Sequence, residues 1–409
     1  MKTMDCRILY VVPEKYPFFR ADLTELFSEG VVKKNCQITW LLQSEKLSST
    51  LKFKELDNER FIIYPSSANG FSRVIQSLCM YFRVWVELQK NQYDFVQVRD
   101  IHLGALIALL GAKFNGVPFI YWMSFPYAET YLIKAKEFVH ESLLKRALYL
   151  LRGNLSRFIR NKIILYSADY VFVQSDRMKN DMELIGISSE KMMPVPMCVS
   201  LDKVRQIEKE TINSESFHGK KVIAYLGTLA RIRQPEFLLQ VFASIIERFK
   251  DTVLLLIGNA TDEDMDYLHK EVEKMGLQDN VVFTGFVPME EAWAYVQCAD
   301  VCLSPFRPSP ILDSTTPTKL IEYLAFGKPV VVNVHPDQSK VIEESGAGLA
   351  VDYDVDAFVD AIGQLLDNPE KAKKMGAKGR EYVRLHRTYD MLASTLGDKY
   401  LELKNKFSK

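Results

Sequence analysis

The chain has 409 residues, 48% hydrophobic and 25% charged, with lysine plus arginine matching aspartate plus glutamate at 52 each. That length exceeds one ordinary core and suits two domains of ~200 residues, and a balanced charge leaves no electrostatic footprint for nucleic acid. No apolar run approaches the ~18 residues of a membrane-spanning helix. Six cysteines are scattered without a C-x-x-C pair, Cys302 inside an apolar run, as expected of reduced, packed thiols in a cytosolic protein.

The start, MKTMDCRILYVVPEKY, has too short an apolar run and no small-residue cleavage site for a signal peptide. RILYVVP is the first strand, and the loop after it carries Lys15, Tyr16, Phe18 and Arg20. QITWLLQ and RFIIYP follow, then DFVQVRD, leading into Arg99, Asp100 and His102, and PFIYWMS, leading into Trp122, Ser124, Phe125 and Glu129. From Tyr131 to Lys162, eight lysines and arginines against two glutamates are interleaved with Leu, Phe, Ile and Tyr. Such a stretch reads first as the charged face of an ordinary surface helix, and it also suits an anionic membrane, at ~1 kcal/mol per basic residue. DYVFVQ closes the first half. The segment 200–221 is polar, charged and strandless, which separates domains at 1–200 and 201–385, with a C-terminal helix at 386–409 placed to pack back on the first domain.

The second half repeats the rhythm with VIAYLG, VLLLIG, NVVFTG, DVCLSP, PVVVNV and GLAVD. Most of these runs are continuously apolar, the mark of parallel strands covered on both faces. Both halves therefore read as doubly wound α/β domains, whose ligands bind outside the carboxyl ends of the strands. After VIAYLG stand Gly227, Arg231 and Arg233; two guanidiniums there can grip a diphosphate, although either alone reads as a solvated loop arginine.

The stretch LDSTTPTKLIEYLAFGKPVVVN, 312–333, predicts a helix with Thr315 or Thr316 as N-cap, Pro317 at its first position and Gly327 and Pro329 as its stop. Leu320, Ile321, Leu324 and Ala325 form its apolar face, with Lys319, Glu322, Tyr323 and Phe326 on the other side. A lysine at a helix start is unfavourable unless an anion sits there too. Glu322, ~4.5 Å further along the axis, suits a hydroxylated group on that anion, such as a ribose. An exposed i,i+3 ion pair is the alternative, in the poorer order for a helix. The D-x-D runs at 262–264 and 352–356 read as a helix opening and a strand–helix joint rather than a metal site, ESGAGLAV is no dinucleotide fingerprint, and the six histidines lack ligand spacing.

The runs YLGTLARIRQPEFLL, FTGFVP, ADVCLSPF and SPILDSTTPTKLIEYLAFGKPVV resemble the C-terminal half of the retaining GT-B glycosyltransferases of family 4, from about Ile187 to Leu385. YDFVQVRD, ADYVFVQSD and MPVPMCVSLD carry the resemblance more loosely over the first half. It implies two Rossmann-like domains facing across a cleft, a nucleotide-sugar donor on the second, a glycan or lipid-linked acceptor on the first, and transfer with retention in polysaccharide or glycoconjugate synthesis. No cofactor or metal is implied beyond a UDP- or GDP-linked co-substrate. Lys319 and a basic residue after Gly227 would hold the donor phosphates; Thr228 stands where an arginine often does, which leaves Arg231 or Arg233. Glu322 matches the second glutamate of the E-x7-E pair, on the ribose, while Ser314 replaces the first, with Asp313 beside it as a substitute toward the hexose. Gly258, the backbone at Phe286 and Val287 near the base, and Thr315, Thr316, Pro317, Thr318 and Leu320 complete the donor side. The first loop lacks the usual glycines, YWMSFPYAET lacks a histidine, and Cys198 replaces a glycine.

Preorganised cations and helix amides aimed at a departing diphosphate lower the barrier by several kcal/mol without a metal. On the acceptor side the candidates are Lys15, Tyr16, Arg99, Asp100, Trp122, Ser124 and Glu129, with Asp100 or Glu129 to assist the acceptor hydroxyl. The expected location is cytoplasmic, peripheral on the inner face of the membrane where 131–162 touches it. A sugar-nucleotide epimerase or a phosphorylase on the same architecture, and a non-catalytic two-domain sugar-binding protein, are the rival readings.

Overall fold

The computed structural model describes residues 6–34, 36–47, 51–67, 70–90, 92–137, 142–209, 217 and 219–407. Residues 1–5 of the start, 138–141 of the basic stretch and 210–216 and 218 of the polar segment lie outside them. The chain divides into two units: Met1–Pro196 with Tyr389–Lys409, and Met197–Thr388.

The first unit is built on β1 (Cys6–Lys15), β2 (Cys36–Ser44), β3 (Lys52–Leu56), β4 (Glu59–Pro65), β5 (Phe95–Arg99), β6 (Phe119–Met123), β7 (Tyr170–Val173) and β8 (Met192–Pro194). They form one sheet in the order β3-β4-β2-β1-β5-β6-β7-β8, parallel except for β3 against β4. Every residue of β5, β6 and β7 is buried, which is why those runs read as unbroken apolar stretches. The two strands without an apolar run are both at the sheet edges. β3, KFKEL, is largely exposed and pairs only with β4; β8 has three residues and ends in a proline.

Between these strands run α1 (Gly70–Leu88), α2 (His102–Phe114), α3 (Tyr127–Glu137) and α4 (Leu143–Phe158). The crossovers β4→β5, β5→β6 and β6→β7 step the same way along the sheet, so right-handed connections put all four helices on one side. Their inward residues, Met80, Val84, Leu88, Ala105, Ala108 and Ala112 among them, share one core with the sheet.

The second unit holds β9 (Lys221–Leu226), β10 (Thr252–Ile257), β11 (Val281–Gly285), β12 (Val301–Ser304), β13 (Val330–Asn333) and β14 (Gly348–Val351), all parallel in the order β11-β10-β9-β12-β13-β14. Alternate residues feed two cores: Val222, Ala224, Leu255, Ile257 and Cys302 on one face, Ile223, Leu254, Leu256, Val301 and Leu303 on the other. The chain leaves β9 toward β10 and β11 and then returns to β12 on β9's other side, so the strand order reverses at the β9/β12 junction.

The helix expected in 312–333 is α5 (Thr318–Ala325), followed by α6 (Pro336–Ser345) and α7 (Pro369–His386). α5 is not two-faced. Tyr323 and Phe326, expected on its polar side, are buried with Leu320, Ile321, Leu324 and Ala325, because α7 covers the side away from the sheet and Gly376 and Gly379 let it approach closely. Nor does a threonine cap it. Pro317 is the N-cap, with no side-chain hydrogen bond, and Thr315 Oγ1 donates to Leu312 O (2.6 Å) in the preceding turn. After α7 the chain re-enters the first unit as α8 (Tyr389–Phe407), whose Tyr400 ring packs on Phe95 and Phe172 and whose hydroxyl donates to Gln97 Oε1.

Candidate functional site

At the carboxyl end of β9, Gly227 has φ +147°, and at the end of β10, Gly258 has φ +146°. A side chain is excluded at both: a Cβ on Gly258 would lie 2.1 Å from Gly227 O, and one on Gly227 would lie 2.9 Å from Lys319 Nζ. Gly258 also bridges Gly285 at the end of β11, and its N–H donates to Thr284 Oγ1 (3.3 Å). Three glycines thus give a floor of bare backbone across β9, β10 and β11. Lys319 stands at one end of it and Phe286, 85% exposed, at the other.

Lys319 reaches the floor from the first turn of α5. Its ammonium lies 3.7 Å from the centroid of the Tyr225 ring and 5.5 Å from that of Phe306; the Arg233 guanidinium approaches the same Phe306 ring at 5.8 Å. Burial first, and the Arg233 charge second, push the Lys319 ammonium well below the ordinary lysine range, with Glu322 opposing them. Glu322 itself is buried one turn along α5. The two arginines part company: Arg231 lies over Tyr267 at 4.1 Å, and its N–H donates to Asp264 Oδ2 (3.4 Å), so Arg233 is the one that joins Lys319. Thr228 follows Gly227, and Tyr225 OH donates to its carbonyl at 3.5 Å.

A hydrogen-bonded frame that no motif announced holds this edge. Tyr323 OH accepts from Leu226 N (2.6 Å) and donates to Leu303 O (3.2 Å), tying the ends of β9 and β12 together. Asn333 Oδ1 accepts from Phe306 N (2.6 Å), and its Nδ2 donates to Phe306 O (2.9 Å), clipping the Phe306 backbone in place. His335, buried in the core, caps α6 by accepting from Gln338 N at Nδ1 (3.4 Å), and Nε2 meets Leu312 O at 2.9 Å. Burial lowers its pKa, and accepting at Nδ1 leaves the proton on Nε2 to donate to Leu312. Ser314 Oγ donates to Pro310 O (3.1 Å) in the short helix Pro310–Asp313, which brings Asp313, Ser314, Thr315, Thr316, Pro317, Thr318 and Leu320 into one segment leading to Lys319. Val287 packs partly against the core behind Phe286. The acids of the two D-x-D runs sit at helix starts: Asp262 and Asp264 open the helix Asp262–Lys274, and Asp354 caps the helix Val355–Asp367 by accepting from Ala357 N (3.1 Å).

In the first unit, the residues singled out lie near the carboxyl ends of β1, β5 and β6, but most of their polar atoms face inward. Arg99 is fully buried; its Nη2 donates to Asp22 Oδ2 (2.6 Å), and its Nε lies 3.4 Å from Glu14 Oε1. Trp122 is enclosed by Phe27 and Phe172, so both residues are core and framework rather than acceptor surface. Asp100, at φ +56°, accepts from Ser124 N (2.8 Å), Phe125 N (3.4 Å) and the Ser124 hydroxyl, which welds β5 to β6; burial raises its pKa. Glu129 takes both arms of buried Arg160 (2.7 and 2.6 Å). These two carboxylates are internally bonded, which corrects the expectation that either reaches an acceptor. His102, near Arg160, is held down at about 4, chiefly by burial. Lys15 pairs with Glu45, and Tyr16 OH accepts from Lys54 Nζ (2.7 Å), both toward the outer edge of the sheet.

Residues 206–382 match the model of the glycosyl transferases group 1. Through this segment, a little under half of its length, the chain resembles that family. The chain is 30% identical over 244 residues to the D-inositol 3-phosphate glycosyltransferase of Corynebacterium urealyticum, covering 56% of itself and 55% of that protein. It is 29% identical to the GDP-mannose-dependent alpha-(1-6)-phosphatidylinositol monomannoside mannosyltransferase of Mycobacterium tuberculosis, covering 44% and 47%. It thus spans about half the length of the curated relatives it matches. Over nearly its whole length, the chain shares the GT-B fold of solved glycosyltransferases. The sucrose-phosphate synthase of Thermosynechococcus elongatus matches at TM-score 0.73 and 16% identity, over 97% of this chain and 99% of that one. An Anabaena protein in complex with UDP-glucose matches at 0.68 and 11%, over 96% and 99%.

Proposed function

We propose that the chain is a retaining glycosyltransferase. In this reading the Met197–Thr388 unit binds a UDP- or GDP-linked sugar, and the other unit binds a hydroxyl-bearing glycan or lipid-linked acceptor. The observation that carries it is the Lys319 ammonium, pressed against Gly227 over Tyr225 and sharing Phe306 with Arg233. Two cations that share one ring, one of them desolvated, cost free energy unless an anion joins them, and a diphosphate carries charge enough for both. From that anion the glycine floor leads to Phe286 for the base, and Glu322 lies one turn along α5 for the ribose. As the sugar–phosphate bond breaks, Lys319 and Arg233 stabilise the charge growing on the departing oxygen. The acceptor proton passes to that oxygen on the same face, which gives retention without a protein base; the internal bonding of Asp100 and Glu129 is compatible with this. Names among the relatives and neighbours that mention GDP-mannose and UDP-glucose support the donor class.

A panel of nucleotide sugars tests this directly. One nucleotide class is expected to raise the melting temperature, and release of its nucleoside diphosphate is expected to require an acceptor and to survive EDTA. Conversion of the nucleotide sugar without acceptor would instead establish an epimerase, and phosphate-dependent cleavage of a glycan a phosphorylase.

The acceptor is proposed to be met at a membrane. Among the described residues no helix is long and apolar enough to cross one. α3 and α4 pack chiefly on each other, with Arg146 Nε donating to Ala135 O (3.0 Å) and Gly153 against Leu132. The outer side of α4 exposes Leu144, Leu148, Leu151, Leu155 and Phe158 at helical spacing, with Lys145, Arg152 and Arg157 close by. Leucines flanked by cations suit anionic lipid. Flotation with phosphatidylglycerol vesicles is expected to carry the wild-type chain and to lose the Leu148→Glu/Leu151→Glu variant; wild-type protein left at the bottom of the gradient refutes the membrane arm alone.

A further inference from the structure

α1 and α2 carry a second exposed apolar face, different in chemistry from that of α4. Opposite its buried Met80, Val84 and Leu88, α1 presents Phe71, Ile75, Phe82 and Val86 with Cys79 between them; Phe71 is 76% exposed. Beside it α2 presents Leu103, Leu110 and Phe114, the last also 76% exposed. The two helices are locked together: Gly104 and Gly111 receive Tyr81 and Trp85, Trp85 Nε1 donates to Ile107 O (3.1 Å), and Trp85 stacks on Phe114. The face is therefore preformed.

The charges of α1 are turned aside. Arg83 bonds Glu87 (2.7 Å), which is itself buried among Arg60 and Lys90, and Arg73 Nε donates to Ser67 O (3.0 Å). A lipid surface draws its selectivity from cations along the apolar face, and on α1 both arginines are tied to other groups. At ~150–200 Å² for each whole side chain, the seven exposed residues present roughly 700 Å² of apolar surface. That is more than the few hundred Å² usual on a monomer and close to the ~800 Å² per partner of a standard interface.

The face is also self-complementary. Cys79 is the midpoint of α1, which runs Gly70–Leu88. When α1 lies antiparallel on a copy of itself, Phe71 meets the partner's Val86, Ile75 meets the partner's Phe82, and Cys79 meets its equivalent at the two-fold axis. A closed isologous pair needs that property.

We propose that the α1–α2 face is the interface of a homodimer in which α1 packs antiparallel on its mate. Sedimentation equilibrium of the full chain at micromolar concentration is expected to give twice the chain mass. Phe82→Glu is expected to weaken association at least tenfold while leaving the melting temperature of the dilute, dissociated chain unchanged, because that side chain touches no core. Among the described residues Cys79 is the one exposed cysteine. Copper-catalysed oxidation by oxygen, in which two thiols lose two protons and two electrons to form one disulfide, is therefore expected to link two chains, and Cys79→Ser to abolish the link while leaving the dimer mass. A monomer throughout, a dimer that Phe82→Glu does not weaken, or loss of vesicle flotation in Phe82→Glu with no change in mass would each overturn the proposal. The last outcome would assign the face to lipid.

Discussion

Replacing Lys319 with methionine is expected to weaken binding of the nucleoside diphosphate by one to two orders of magnitude and to lower turnover by two to three. A hydrogen bond to a charged partner is worth ~1.5–3 kcal/mol, and removing one donor aimed at a developing oxyanion typically costs ~10²–10³ in rate. The protein is expected to melt no lower. The buried ammonium has a folded pKa below the ordinary ~10.4, so the unfolded chain holds more protons than the folded one between those two values. Stability therefore rises with pH across that window, and at neutral pH this lysine is a destabilising group. Methionine keeps the length of the side chain and removes the charge. Isothermal titration with UDP and GDP, run beside a thermal melt, measures both halves. Arg233→Met should move binding in the same direction, whereas Arg231→Met should change it less than threefold, since that guanidinium lies over Tyr267. Equal losses for the two arginine variants would contradict the geometry described for the site.

Arg99→Met is expected to have the largest effect on stability, ~3–5 kcal/mol, the usual consequence of removing one partner from a buried ion pair. Arg99 is enclosed among Asp22, Glu14 and Asp100, and Arg20 Nε lies 3.1 Å from the other Asp22 oxygen. Although burial opposes it, the Arg99 and Arg20 charges hold the Asp22 carboxyl at about 2. Against an unfolded value of ~3.9 that is worth ~2.5 kcal/mol. For a carboxyl held low in the folded state, this contribution is complete above pH ~4 and disappears as pH falls toward ~2. In the variant, Asp22 loses its main cation, so acid unfolding should begin at higher pH. Urea titrations at pH 7 and pH 3 follow both effects; a loss under 1 kcal/mol at pH 7 would mean that the cluster is solvated in solution.

The legible part of this molecule is the part governed by local pattern. Parallel strands buried on both faces write themselves as apolar runs, so twelve of the fourteen strands among the described residues, the doubly wound architecture and the position of Lys319 and Glu322 on a helix after β12 could be read directly. Edge strands such as KFKEL cannot be, because exposure removes the apolar signal. The choice between Arg231 and Arg233 depends on which ring each one finds across the unit, Tyr267 or Phe306, and neither contact is local. Trp122 sits where a strand meets its loop, a position that served equally for core and surface until Phe27 and Phe172 closed over it. Asn333 and His335 had one available hint: a polar amide at the end of an apolar strand, followed by a histidine just before a proline that opens a helix. Their partners, Phe306 and Leu312, are more than twenty residues away, and only the fold reveals them.

The return of α8 to the first unit has a bearing on biogenesis. Phe95, Gln97 and Phe172 receive their cover from Tyr400, a residue the ribosome adds only after all of Met197–Thr388. The segment translated earlier is thus the one finished later, and the intervening unit can mature while its predecessor still shows an aromatic flank to chaperones. Nascent chains halted before Tyr389 should accordingly recruit such helpers, and those released beyond Phe407 should shed them.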